Sequence, residues 1–427
     1  MMGFLDILIN QVLRQPPIFI GLIVLAGCLF RKLDGKATMV SVVKSVVGMM
    51  ILMVGSATLI SASKPVIEIF VKRIGIKGVI TDMWTATAAG LKVLETEQPD
   101  VSIGLIMISA WLLHILLSKF TPIKTVYLTG HVAYTDTVAL TWLLYAVLKL
   151  KGIPLMLTAM GFCAVYWWLF PALIRPYLTR IVGDSPITLG HNLCIGGILT
   201  MQLARLFGSP DDSAEKIKLP GWLSVFGDSI IAYSIIMGSI YCGIIVMAGP
   251  EITKAYAGAQ NYVIYGFMQG LTMAVGITIL MAGVRMFLAE VIPAFIGISE
   301  KFIPGAVAAV DSPIFWPYAP TAALLGFICT VVGQVVGLIM LIVFNSPVIA
   351  IPSVIPLFFG GSTLGVFANA WGGWKGVVGA TSIMGVIEIW GSAGLAYVSN
   401  AEYAIWGHSD WSTLWLAVFG ILKQFVS

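Results

Sequence analysis

Eight stretches of this chain, near residues 40–61, 101–118, 153–174, 229–249, 261–282, 321–344, 376–399 and 411–426, run almost without a charge. A bilayer's hydrocarbon core takes roughly twenty helical residues to cross, and inside it every backbone amide has to find a partner within the protein. Runs of this kind therefore fold as membrane-spanning helices. Shorter or interrupted runs at 16–30, 137–148, 193–207 and 347–366 raise the expectation to ten to twelve spans, about eleven as a single figure, in an all-α polytopic membrane protein. Charged residues make up 10% of the chain and hydrophobic ones 59%, against about a quarter charged in soluble domains. A water-soluble globular fold is excluded. The net charge is only +4, and the basic residues stand singly between apolar runs, so nothing resembles the basic stripe that binds nucleic acid.

The five cysteines (Cys28, Cys163, Cys194, Cys242 and Cys329) all lie in apolar stretches, where they read as small buried hydrophobes rather than a disulfide framework. No small-residue cleavage site separates the apolar run after Arg14 from Arg31 and Lys32, so insertion is expected to rely on the spans themselves. Residues 4–13 suit a short interfacial helix. The one clearly water-facing loop, SPDDSAEKIKLP within 208–220, divides the chain almost in half. It is expected to act as a charged hinge on the cytoplasmic side, between an N-terminal membrane half (1–207) and a C-terminal one (221–427), each a structural repeat of the kind many transporters build around a midplane site. Arg31, Lys32, Lys36 and Lys44 would place the first connection in the cytoplasm, while Lys64, Lys72, Arg73 and Lys77 argue the opposite. Orientation stays open.

Polar groups at bilayer depth are costly unless paired or facing a cavity, which makes them candidates for function. LTGHVAYTDT at 128–137 sets Gly130, His131, Thr135 and Asp136 between two apolar runs, as in a broken helix or a re-entrant tip. If that stretch is helical, His131 and Thr135 share a face. GDSPITLGHN at 183–192 repeats the theme with Gly190, His191 and Asn192, and IPGAVAAVDSPIFWPYAP at 303–320 carries Asp311 as its only charge among four prolines. That proline spacing forbids a continuous helix and suits a second hairpin entering the membrane partway, with Asp311 near its tip.

Two histidines and an aspartate also invite a metal, but no HxxxH or HxxE spacing supports one, and no cofactor is expected. His114 and His408 stand at apparent span edges and read as interfacial; Arg285 and Glu290, five apart, read as a structural charge pair; Glu388 is isolated in VIEIWG. Gly130, Gly190 and Gly305 would admit a ligand's close approach or, more commonly, tight packing. There is no Walker loop and no GxSxG elbow, so neither a built-in ATPase nor a hydrolase is indicated. Hydroxyls, amides, imidazoles and a carboxylate are together what a polyhydroxylated solute needs. A proton- or ion-coupled secondary transporter of a small polar solute could use the same groups as a relay.

LTGHV at 128–132, LGHN at 189–192, LPGWL at 219–223, GVRMFLAE at 283–290, IPGAVAAVD at 303–311 and LGVFANAWGGW at 364–374 together resemble the ascorbate-type membrane permeases, the enzyme IIC components of the bacterial phosphotransferase system. The resemblance runs from about residue 15 to the last span. It implies eleven spans with two half-membrane hairpins, arranged as inverted repeats in a V-shaped dimerising domain and a mobile, elevator-like core domain that interleave the two halves of the chain. It also implies a homodimer in the bacterial cytoplasmic (inner) membrane, importing L-ascorbate or a related sugar or polyol, with soluble IIA and IIB partners relaying phosphate. The phosphoryl-accepting residue belongs to IIB, so this chain is expected to be a transport subunit with no catalytic residue of its own. By the resemblance, Ser56, His131, His191 and Asp311 match ligand contacts of the family, and Thr135, Asp136 and Asn192 stand where ascorbate members carry glutamines. Asp82, Met83 and Trp84 replace an Asp-Thr-Tyr stretch. A carboxylate at Asp136 beside an anionic solute would be repulsive, which leaves room for a different sugar, sugar acid or polyol.

Overall fold

The computed structural model describes residues 16–75, 78–217, 229–353, 356–402 and 404–425; the expected interfacial helix at 4–13 and the LPGWL motif lie outside them. The first half runs α1 (Pro16–Phe30), α2 (Gly35–Ile74), β1 (Val79–Ile80), α3 (Met83–Glu97), α4 (Ile103–Phe120), β2 (Thr125–Tyr127), α5 (Gly130–Leu148), α6 (Gly152–Val182), β3 (Ile187–Leu189) and α7 (Cys194–Phe207). A 3₁₀ turn (Ala214–Lys216) leads towards the second half. There follow α8 (Ser229–Ala248), α9 (Pro250–Ala257), α10 (Tyr262–Phe302), β4 (Val307–Val310), a 3₁₀ segment (Ser312–Tyr318), α11 (Pro320–Val343), β5 (Ala350–Ile351), α12 (Gly361–Ser399) and α13 (Leu416–Lys423), with π turns at Pro356–Gly360 and Trp411–Trp415.

The protein is mostly helical, and among the described residues six helical runs are long and apolar enough to cross a membrane. All eight long apolar runs of the sequence fall on helices. The run at 347–366 does not form a span of its own: Pro347, Pro352 and Pro356 interrupt it, and it holds β5, a π turn and the first residues of α12, because proline removes the amide a helix interior needs. Helix α3, whose Lys92, Glu95 and Glu97 mask its apolar face, went unforeseen.

An all-α expectation misses five short strands, every one in parallel pairing. They are two to four residues long, too short to reveal a period of two, but each strand of the three-stranded sheet has a proline shortly ahead of it (Pro122, Pro186 and Pro304). Proline stops helix from propagating into the β-branched residues that follow. Strand β4 is central, between β2 and β3, while β1 pairs with β5 and makes one further bridge, from Ile80 to Ala404. The strands are almost wholly buried, as extended backbone at membrane depth has to be.

The helices fall into two packed groups. Helices α1, α2, α8 and α10 pack on one another, and α11 with α12, α12 with α7, and α6 with α4 and α5 form the other. The α2–α10 crossing is a seam of small residues: a Cβ on Gly55 would lie 2.5 Å from the Leu280 amide nitrogen, and one on Gly283 2.4 Å from that of Leu52. Close backbone approach of this kind drives helix association where lipid offers no hydrophobic contrast. Glu290 pairs with Lys44, at 4.0 Å, rather than with Arg285: residues five apart on a helix do not share a face, whereas α2 runs alongside α10. The 208–217 segment is anchored as well as wetted. Glu215 accepts from the Ala322 amide (2.9 Å) at the start of α11, and Asn369 accepts from the Ala214 amide (2.8 Å).

Candidate functional site

The register of the three-stranded sheet assembles the site. Tyr127 pairs with Ala309, and Leu189 with Val310, so the carboxyl ends of all three strands emerge together. Asp311 follows β4 directly, His191 follows β3 by two residues, and His131 stands in the first turn of α5, just beyond β2. Where a helical hairpin was expected at 303–320, an extended strand delivers Asp311 to the head of a 3₁₀ segment, and its Oδ1 accepts from the Ser312 amide at 2.7 Å. His131 Nε2 lies 3.4 Å from Asp311 Oδ2, and His191 Nε2 lies 3.9 Å from Asp311 Oδ1. The carboxylate thus sits between the two imidazoles at distances beyond a well-formed hydrogen bond, with acceptor capacity to spare. Gly190 is glycine for a packing reason: a Cβ there would stand 2.6 Å from the Ala309 carbonyl oxygen.

A cavity of about 20 Å³ opens onto this cluster, room for a water molecule. Leu128, Thr129, Gly130, His131, Val310 and Asp311 form one wall; Ile20, Met49, Leu52 and Phe287 form the other. The polar wall belongs to the strand-bearing group and the apolar wall to α1, α2 and α10, so the cavity lies on the seam between the two helix groups.

The other expected residues divide. Thr135 does share the helix with His131, but its hydroxyl donates to the Val132 carbonyl (2.9 Å) and contacts Met83 Sδ at 3.6 Å. Asp136 is fully buried behind the cluster, and its Oδ2 accepts from Trp167 Nε1 at 3.0 Å. Asn192 is likewise fully buried, and its side-chain amide has no hydrogen-bond partner among the described residues. None of these three lines the cavity, and neither does His191, which reaches it only through Asp311. Ser56 lies on α2, and its side chain falls outside the described residues.

Several buried groups around the site were not foreseen. His408 is 1% exposed rather than interfacial, and its ring stands edge-on to His191 with centroids 4.7 Å apart. His114, expected at a span edge, is fully buried and accepts from the Tyr127 amide at 3.1 Å, bracing β2. Asp410 is the acceptor for the Tyr166 hydroxyl (2.5 Å) and for the amides of Cys194 (2.9 Å), Ile195 (2.8 Å) and Gly196 (2.9 Å). It caps the N-terminus of α7 from more than two hundred residues away. The one available signal was the third Gly-His pair, Gly407-His408, preceding Asp410 in the sequence.

Membrane-capable helices folded around a buried polar crevice on the seam between two helix groups define a polytopic membrane transport protein. The comparisons narrow the class. The family described as "PTS system sugar-specific permease component" matches residues 11–410. The chain is also 30% identical to the ascorbate-specific PTS system EIIC component of Mycoplasma pneumoniae, over 93% of its own length and 67% of that protein's. The chain belongs to the sugar-specific permease family of the phosphotransferase system.

Proposed function

We propose that this chain is the membrane subunit of a phosphoenolpyruvate-dependent phosphotransferase system in the bacterial cytoplasmic membrane. It binds L-ascorbate or a closely related sugar or polyol and presents it to a soluble IIB protein, which is recharged by IIA and carries out the phosphorylation. The observation that carries this reading is the placement of Asp311 between His131 and His191 at the seam of the two helix groups. Imidazole N–H groups donate to ring and hydroxyl oxygens of a sugar, and the carboxylate accepts from its hydroxyls; hydrogen bonds to a charged group contribute about 1.5–3 kcal/mol each. Thr135, Asp136 and Asn192 support this wall from behind, and Ser56 is assigned a ligand role from the family pattern alone. Asp136 Oδ2 is turned to Trp167 and Asp136 does not line the cavity, so it makes no direct contact with an anionic solute, which supports the ascorbate reading despite the departures from the family pattern.

A cavity of about 20 Å³ is far smaller than a sugar, so loading requires the two helix groups to part. In this reading α1, α2, α8 and α10 form the dimerising V-shaped domain, and the strand-bearing group is a core domain that carries the solute across. Two repeats meeting at the 208–220 loop are supported by the reciprocal strand pairing: β1 of the first half pairs with second-half segments, while β4 of the second half pairs with first-half strands. Both strands lead into an aspartate, Asp82 and Asp311, and both are flanked by a strand or bridge leading into Gly-His. Equilibrium binding of ascorbate, set against neutral sugars and polyols, tests the assignment in purified protein. His131→Ala and Asp311→Ala are expected to abolish binding while the protein stays folded. Wild-type affinity in both variants would remove the site.

A further inference from the structure

Glu388 sits near the middle of the apolar part of α12, eleven residues before its end at Ser399 and 1% exposed. No ion pair reaches it among the described residues. Its Oε2 accepts from Gln334 Nε2 on α11 at 2.8 Å, and its Oε1 has no hydrogen-bond partner. Three more oxygens share that condition, each buried and without a partner among the described residues: Gln334 Oε1, Thr330 Oγ1 and Ser362 Oγ. Thr330 and Gln334 lie one turn apart on one face of α11. A Cβ placed on Gly361 would stand 2.9 Å from Thr330 Oγ1, and one on Gly360 3.9 Å from Glu388 Oε1, so these two oxygens border adjacent glycines, and Ser362 is the next residue of the chain.

A charged carboxylate at this depth is too costly to stand uncompensated, and its side-chain contact with the neutral amide of Gln334 brings no positive charge. We infer that Glu388, Gln334, Thr330 and Ser362 form a second binding site in this chain, one that takes a monovalent cation, sodium or a proton, to neutralise Glu388. Hard cations prefer oxygen donors. A set with one carboxylate and three neutral oxygens suits a single positive charge, and among the described residues no three His, Cys, Asp or Glu side chains gather to hold a metal of higher charge. The titratable groups on the elements packed around it are His408, whose Cδ2 lies 4.0 Å from the same Cβ position on Gly360, and behind His408 the ring of His191 and the carboxylate of Asp410. Helix α11 carries Cys329, which lies against Thr381 and Ser382 of α12. The inference does not depend on the identity of the solute.

The test is thermal unfolding of the full chain in nanodiscs, in sodium, potassium or choline chloride at fixed pH, and across pH in choline alone. Wild type is expected to unfold several degrees higher on adding sodium, or on acidification without sodium, and Glu388→Gln, which keeps the Gln334 contact, to lose that response. A sodium response weakened by Thr330→Val and Ser362→Ala identifies sodium as the occupant; an acid response insensitive to those two variants identifies a proton. Wild type indifferent to both ions, or Glu388→Gln responding as wild type does, overturns the site. Should Glu388→Gln fail to fold, infrared difference spectra of the wild type decide. Loss of a protonated-carboxyl band on sodium addition or alkalinisation supports the site, and an unchanged band overturns it.

Discussion

Asp311→Asn is the substitution that tests the site most directly, because it alters one charge and almost no volume. In the native protein Oδ1 is already engaged with the Ser312 amide at 2.7 Å. Among the described residues Oδ2 meets only His131, at 3.4 Å, too long for a strong bond, so Oδ2 is the atom free to accept from a solute hydroxyl. An asparagine that keeps its carbonyl oxygen on Ser312 turns an NH₂ group toward His131 and the cavity, replacing a charged acceptor with a donor. A hydrogen bond to a charged group is worth about 1.5–3 kcal/mol, and each 1.4 kcal/mol is tenfold in affinity, so solute binding should weaken roughly 10- to 100-fold. Isothermal titration or scintillation proximity with purified protein in nanodiscs measures the affinity, and a thermal unfolding curve on the same sample shows whether the fold is intact. A folded Asp311→Asn protein that binds with wild-type affinity would refute the argument that Oδ2 receives the solute.

Gly190→Ala should lower both thermal stability and affinity: its Cβ would stand 2.6 Å from the Ala309 carbonyl oxygen, pushing β3 and His191 away from β4, and overpacking of this kind costs about 1–3 kcal/mol. Asp410→Ala should be the most damaging single change outside the site, since it strands the Tyr166 hydroxyl and three amides in the first turn of α7 at about 1–3 kcal/mol for each unpaired buried group; Asp410→Asn should be milder, and unfolding midpoints rank the two. Asp136→Asn, which can still accept from Trp167, should leave ascorbate affinity within about twofold, under half a kcal/mol. A large gain in affinity in that variant would mean that Asp136 does face the solute.

The helices were legible because a long apolar run has one stable outcome in a bilayer, and α1, α4, α8 and α11 fall within a few residues of their expected limits. His131, His191 and Asp311 were legible for a related reason: each is a lone polar group beside a glycine or proline between apolar runs. Their common partner was not, because a parallel register between residues 125–127, 187–189 and 307–310 is a long-range fact that leaves no local pattern. The same blindness hid Asp410 and His408, which act on α7 and His191 from the far end of the chain, and it hid the Trp167 partner of Asp136. Polarity at membrane depth announces that a partner exists. It does not say whether the partner is a solute or, as for Asp136, a tryptophan one helix away.

The two walls of the cavity differ in a way that bears on movement. Thr129, His131 and Asp311 all belong to the strand-bearing group, whereas Ile20, Met49, Leu52 and Phe287 offer the opposite wall only apolar surface. A solute bonded to the first wall keeps its hydrogen bonds if that group slides, and only non-directional contacts are exchanged along the second. Had the polar groups been split between the walls, each stroke would break hydrogen bonds worth about 1.5–3 kcal/mol apiece where charged groups are involved. Joining the walls should therefore stop transport. With Met49→Cys and Thr129→Cys introduced together and bridged by a short bifunctional maleimide, uptake into proteoliposomes charged with the soluble partners should fall to background. Either single variant, treated alike, should transport. Full uptake by the bridged protein, with bridging verified by mass spectrometry, would mean that the walls do not slide past each other and that the solute crosses by another route.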